Sequence, residues 1–162
     1  MLLRARKVIG FKEEADIHDI TAIRRKVFGE EQGIDYQLDF DGLDERSTHI
    51  IDTALDEESG GFVSAGTVRF RHIEDHPSPY YVVKLERMAV LPQFRKGGVG
   101  KHMLEFYLAC WPRLKRGNES LMILNAQVSA QRFYERLSFL AEGEIFQEAG
   151  IDHISMSRHL HF

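Results

Sequence analysis

Apolar and polar positions follow two different periods along this chain. Residues 2–9 (LLRARKVI) have the character of a strand. ADIHDITAIRRKVF then sets Ile17, Ile20, Ile23 and Val27 at helical spacing, with Phe28 close by. From 30 to 47 (EEQGIDYQLDFDGLDERS) the period is lost, which predicts an acidic loop region with a short helical turn. THIIDTALD and FVSAGTVRFRHI read as two strands joined through Glu58-Ser59-Gly60-Gly61. HPSPYY connects to a further strand, VVKLERMAVL (82–91), which Pro92 ends because proline lacks the N–H a ladder needs.

After the glycines at 97–100, Val99, Met103, Leu104, Tyr107, Leu108 and Trp111 fall on one helical face. Pro112 is expected to end or kink that helix, and Gly117 to mark a turn. SLMILNAQ (120–127) is a short, almost wholly apolar run, as in a strand covered on both faces. Ser129 is placed to cap a helix in AQRFYERLS, and 139–160 reads as two strands around Glu148-Ala149-Gly150. The order β-α-β-β-β-α-β-α-β-β predicts a mixed α/β fold in one domain, 1–162.

Composition changes this picture little. Hydrophobic residues make up 43% and charged residues 28%, as in an ordinary globular chain. A formal charge of −4 offers no broad basic surface, so no nucleic-acid partner is expected. Arg4, Arg6 and Lys7 break the apolar stretches of MLLRARKVIGFKEE, which is expected to be neither a signal peptide nor a membrane span. With Cys110 alone an intrachain disulfide is excluded, and a reducing, cytoplasmic setting is expected.

The chemistry concentrates at Arg95-Lys96-Gly97-Gly98-Val99-Gly100-Lys101. A nucleoside-triphosphate loop would need a hydroxyl after its lysine to hold magnesium, and that position is His102. It would also run straight out of its strand, whereas Pro92-Gln93-Phe94 intervenes. An anion site without metal needs only glycines that let the backbone approach and a helix N-terminus whose N–H groups are unpaired. Arg95, Lys96 and Lys101 add positive charge, so a pyrophosphate suits this loop.

LERMAVLPQFRKGGVGKHML resembles the signature of the GNAT superfamily of N-acetyltransferases, V-x-P-x-x-R-x-x-G-x-G or A between a strand and a helix. Val90, Pro92, Arg95, Gly98 and Gly100 occupy those positions, and Ala130, Phe133, Tyr134 and Phe139 match a second motif, A-x-x-F-Y-x-x-x-x-F. Within the superfamily, RKVFGEEQGI, DFDGLDERSTHI and GIDHISM resemble the small bacterial ElaA-type proteins. The resemblance implies a central mixed, mostly antiparallel sheet with helices on both faces. It implies acetyl-CoA as co-substrate, no metal, and transfer of acetyl to a primary amine of a small molecule or protein. It leaves a homodimer open. A CoA-binding regulatory module with little or no catalysis is the alternative, against which Tyr134 argues mildly.

Under that resemblance Met88, Ala89 and Val90 offer backbone groups to the pantetheine arm, and the loop residues Arg95 to Lys101 hold the pyrophosphate. Gln127, Ser129 and Phe133 complete the cofactor side; Gln127 stands where the family usually has Asn, and Ser138 where glycine is common. Tyr134 is the expected general acid. Glu86, two residues from Met88 on the same strand, is the candidate base, with pairing to Lys84 or an arginine as the equally weighted structural reading. The acceptor is expected to meet Glu31, Asp41 and His153, with His49 a further histidine for that pocket and the acidic segment 30–45 as one wall. Cys110 is expected in the core.

Overall fold

The computed structural model describes residues 1–110 and 119–161, so the expectations for Trp111, Pro112 and Gly117 lie outside the described residues. The strands are β1 (Leu3–Ile9), β2 (Thr48–Leu55), β3 (Phe62–Ile73), β4 (Tyr81–Val90), β5 (Glu119–Gln127), β6 (Leu140–Glu148) and β7 (Ile151–His161). The α-helices are α1 (Glu14–Arg24), α2 (Tyr36–Asp39), α3 (Val99–Cys110) and α4 (Gln131–Glu135). The strands form one mixed sheet in the order β1-β2-β3-β4-β5-β7-β6. β1 and β2, β5 and β7, and β6 and β7 pair antiparallel, while β4 and β5 run parallel over Tyr81–Lys84 and Ser120–Ile123.

The chain forms two compact units, one drawn from Met1–Arg69 and Arg87–Leu114, the other from Phe70–Glu86 and Lys115–Phe162. In the first, Val8, Ile20 and Ile51 pack together with Phe11, and Ile23, Val27 and Phe28 pack on Ala89. Val27 and Phe28 are adjacent, so an ideal helix could not aim both at one core patch. The structure widens the helix into a π turn over Arg25–Glu31, and both become buried. α3 packs on β1 and β2. It also lies close against β3, because a Cβ on Gly66 would come within 2.8 Å of Val99 and 3.1 Å of Met103.

In the second unit Leu121, Met122, Leu124, Ala126, Tyr134, Phe139, Met156 and Leu160 are buried. β5 is not apolar on both faces as its sequence suggested. Leu124 and Ala126 are buried, while Asn125 and Gln127 alternate with them on a partly exposed face. α4 is also shorter than expected. A 3₁₀ turn occupies Val128–Ala130, so Ser129 lies in that turn, and Ala130 takes the N-cap position without a side-chain bond.

Candidate active site

The first unit carries the glycine loop. Lys96 (φ 63°) and Gly98 (φ 88°) both adopt left-handed backbone. Reversals of this kind turn successive N–H groups toward one side, an anion-binding arrangement. His102 N–H donates to the Gly98 carbonyl at 2.9 Å, which starts α3 directly behind the loop. The N–H groups of Val99, Gly100 and Lys101 therefore fall in the first turn, where a helix has no acceptor for them. The Val99 side chain is buried beside Gly66, so this residue can meet a ligand only through its backbone. Lys101 is an exposed residue whose Nζ lies 3.5 Å from Glu105.

Arg95 is committed within the protein. Its Nη1 and Nη2 donate to Glu31 Oε1 and Oε2, each at 2.6 Å, and its Nε donates to the Val90 carbonyl at 3.0 Å. The Arg95 hydrogen bonds hold the Glu31 carboxyl below its ordinary value, against a small opposing effect of burial. Glu31, an expected acceptor residue, is thus tied to Arg95 at the start of the glycine loop.

The acidic segment is likewise largely neutralised from inside. Arg24, 1% exposed, donates from Nε to Asp39, from Nη1 to Asp44 Oδ1 at 2.7 Å and from Nη2 to the Asp39 carbonyl at 2.6 Å. Arg69, also buried, grips Asp41 with two bonds of 2.7 Å and reaches Asp44 at 3.1 Å. Arg87 adds the Leu38 and Asp39 carbonyls and Asp41. Burial pushes the Asp41 carboxyl up, but hydrogen bonds from Arg69 and Leu43 and the charges of Arg69 and Arg87 carry it well below the carboxylate range. As an acidic wall for a cationic acceptor the segment is compromised: Asp39, Asp41 and Asp44 are matched by three arginines. His49 is fully buried against Phe11, with Nε2 donating to the Asp44 carbonyl, and burial lowers its pKa so the ring is neutral.

β4 also departs from its expected pleat. Arg87 has φ 53°, which interrupts the alternation between Glu86 and Met88, so the argument that set those two on one face does not carry across it. In the second unit Glu86 accepts from Arg71 Nη2 at 2.9 Å and lies 3.5 Å from Lys84 Nζ. The carboxylate is engaged in the structural role that its sequence position also allowed.

Tyr134 is held by the end of α4. Phe139 N–H donates to the Tyr134 carbonyl and Ser138 N–H to the Glu135 carbonyl, the crossed bonds of a Schellman cap. The Tyr134 and Phe139 rings meet edge-on at 5.8 Å, and Phe133 flanks Tyr134 at 5.0 Å. Burial pushes the phenol far above its ordinary value, so it stays protonated at neutral pH. Ser138 occupies the glycine position of the cap with φ 65°. Ser138→Gly should therefore raise stability by about 0.5–1 kcal/mol, less what glycine adds to unfolded-state entropy. Thermal unfolding should show a rise of about 1–4 °C; an unchanged or lower midpoint would mean that serine is unstrained there.

His153, on β7, is buried and stands opposite Gln127 on β5 and Phe146 on β6. Beside this row lie Asn125 and Ser155, neither of them an expected site residue. Their signal in the sequence is polar residues two apart, Asn125 and Gln127 in the largely apolar β5 and His153 and Ser155 in β7.

The model of the acetyltransferase (GNAT) domain matches residues 54–160. This chain belongs to the GNAT acetyltransferase family. The uncharacterized N-acetyltransferase YjcF of Bacillus subtilis is 32% identical over 94% of this chain and 99% of its own. The crystal structure of Escherichia coli ElaA superposes with a TM-score of 0.77 at 24% identity, covering 97% of this chain and 99% of that one. An acyl-CoA N-acyltransferase from Pseudomonas aeruginosa gives the same TM-score and coverage at 25% identity. The GNAT family assignment makes the chain a member of a family of acyl-transferring enzymes with the mixed, mostly antiparallel sheet expected of it. Among the described residues no group of three or more His, Cys, Asp or Glu is placed to hold a metal ion, and no helix is long and apolar enough to cross a membrane.

Proposed function

We propose that residues 1–162 act as one cytoplasmic domain that transfers acetyl from acetyl-CoA to a primary amine in a direct ternary complex. The observation that carries this reading is the loop in which left-handed Lys96 and Gly98 lead directly into the N-terminus of α3. Its donor set is main-chain N–H groups with lysines around them, which suits a pyrophosphate and asks for no metal. The backbone of Met88, Ala89 and Val90 supplies pantetheine contacts, with Gln127, Ser129 and Phe133 on the cofactor side. Bound acetyl-CoA supplies a thioester carbon open to attack. Tyr134 keeps a proton on its hydroxyl for the departing sulfur. Arg95 contributes by shaping the loop through Glu31 and Val90.

Acetyl-CoA at about 100 times its Kd should stabilise the folded chain by about 2.7 kcal/mol, because it binds that form alone. That corresponds to a rise of about 5–11 °C in the unfolding midpoint. ATP with magnesium should give much less. Gly98→Asp should abolish the shift. The position has open space but positive φ, so the change adds both strain and a negative charge. Gly98→Ala carries the strain alone and should keep part of the shift. A full shift in Gly98→Asp would take the loop out of the site.

A further inference from the structure

β5, β7 and β6 carry a strip of polar side chains on one face of the second unit. Register sets Gln127 beside His153 and His153 beside Phe146, whose ring stacks on the imidazole at 6.1 Å and 28°. The next row holds Asn125 and Ser155. Asn125 Nδ2 donates to Glu148 Oε2 at 2.9 Å, and Ser155 Oγ donates to Asn125 Oδ1 at 3.4 Å. The Glu148 carboxylate is thereby drawn over the face that His153 occupies.

The tautomer of His153 follows from its partner. Nδ1 lies 2.8 Å from the Ile151 carbonyl, and a carbonyl oxygen only accepts, so Nδ1 carries the hydrogen. In the neutral ring the lone pair is then on Nε2. The main chain of its own strand fixes this ring as a proton acceptor, while Glu86 is engaged by Arg71 and Lys84. Among the described residues, the charged or titratable groups sharing the face are Glu148, Glu142, which is bonded to Ser157, His159 further along β7, and Lys84 of β4, which stands opposite Ile123 and lies 3.5 Å from Glu86; β5 adds the amides of Asn125 and Gln127. Asp152 alternates to the opposite face and is bonded to Gln147.

We propose that this strip is the acceptor subsite, in which Glu148 binds the ammonium of a cationic amine and His153 Nε2 takes its proton. The inference rests on the acetyl-transfer reading above. The ammonium gives one proton to Nε2, and the freed nitrogen lone pair forms the C–N bond. The C–S bond breaks, and the sulfur takes a proton from the Tyr134 hydroxyl. The second nitrogen proton, lost as the amide forms, returns to that oxygen through water. His153 then releases its proton to solvent, leaving acetamide, thiol and one proton.

His153→Asn and Glu148→Gln would be compared with the unaltered protein, using acetyl-CoA with lysine methyl ester, spermidine and glucosamine as acceptors. In His153→Asn the introduced amide keeps a donor for the Ile151 carbonyl but offers no imidazole base. This variant should lower kcat/KM by about 10²–10⁴-fold and remove the acidic limb of the pH–rate profile, with the acetyl-CoA thermal shift intact. Glu148→Gln should raise KM for the amine with kcat little changed. Nitrogen-15 spectra of the unaltered protein should show hydrogen on Nδ1 of His153. Hydrogen on Nε2 in the neutral ring, or an unchanged rate and pH profile in His153→Asn, overturns the assignment. A thermal shift without turnover of any amine overturns the acceptor subsite and leaves cofactor binding. Loss of the thermal shift in the unaltered protein overturns the acetyl-CoA reading itself.

Discussion

Tyr134→Phe is expected to lower kcat by about 10²–10⁴-fold with little change in acetyl-CoA affinity. The variant keeps the ring, so the edge contacts to Phe133 and Phe139 survive and the chain should still fold. It loses only the hydroxyl. The high proton affinity of the buried phenol has two opposing effects. It guarantees that the proton is present at neutral pH, and it makes donation to a thiolate costly unless the sulfur carries most of its charge when the proton moves. Steady-state kinetics with a confirmed amine, alongside the acetyl-CoA thermal shift, read both parts. If kcat is unchanged and a burst phase shows that product release is not limiting, Tyr134 has only a packing role.

Arg24→Met should be among the most damaging single changes to stability. Arg24 is surrounded by Asp39, Asp44 and the Phe40 ring, over which its guanidinium lies at 4.2 Å. Methionine fits the volume but leaves two buried carboxylates short of a cation. Breaking a buried pair from one side costs about 3–5 kcal/mol, or about 6–20 °C in the unfolding midpoint. Arg6→Met is the contrast. Arg6 pairs with Asp16 and Asp19, but its side chain is 42% exposed. Pairs open to water contribute about 0–1 kcal/mol. Equal losses in the two variants, measured by denaturant unfolding, would show that the buried cluster has no special weight.

The strands and the two motifs could be read from the chain because period-two and period-3.6 patterns report burial directly. β3 falls on its expected residues, and β4 within one residue at each end. What escaped depends on side chains meeting across long sequence distances. Nothing in the spacing of Arg24, Asp39, Asp44 and Arg69 says that they close on one another, so the segment read as an acidic loop and a wall for the acceptor. Parity failed at Arg87, because one left-handed residue inside a strand leaves no mark on composition. Ser138 could be flagged from its sequence position, but its strain became a finding only with φ 65°. The Asn125–Ser155 row was hidden by the apolar character of its neighbours.

β6 lies at the outer end of the sheet, and its side chains are exposed or nearly so along its whole length, with Leu140 at 73% and Ile145 at 57%. A bare edge of this kind invites another strand to add to it. Here Glu142, Glu144 and Glu148 stand along the same strand, and left-handed Gly143 sits where its register with β7 shifts. The bend spoils a flat template, and ionised carboxylates repel a second copy laid alongside. Colloidal behaviour is thus delegated to the mutual repulsion of three side chains on one strand. Freedom from strand-to-strand growth rests on exposed charge, and concentrated salt withdraws it.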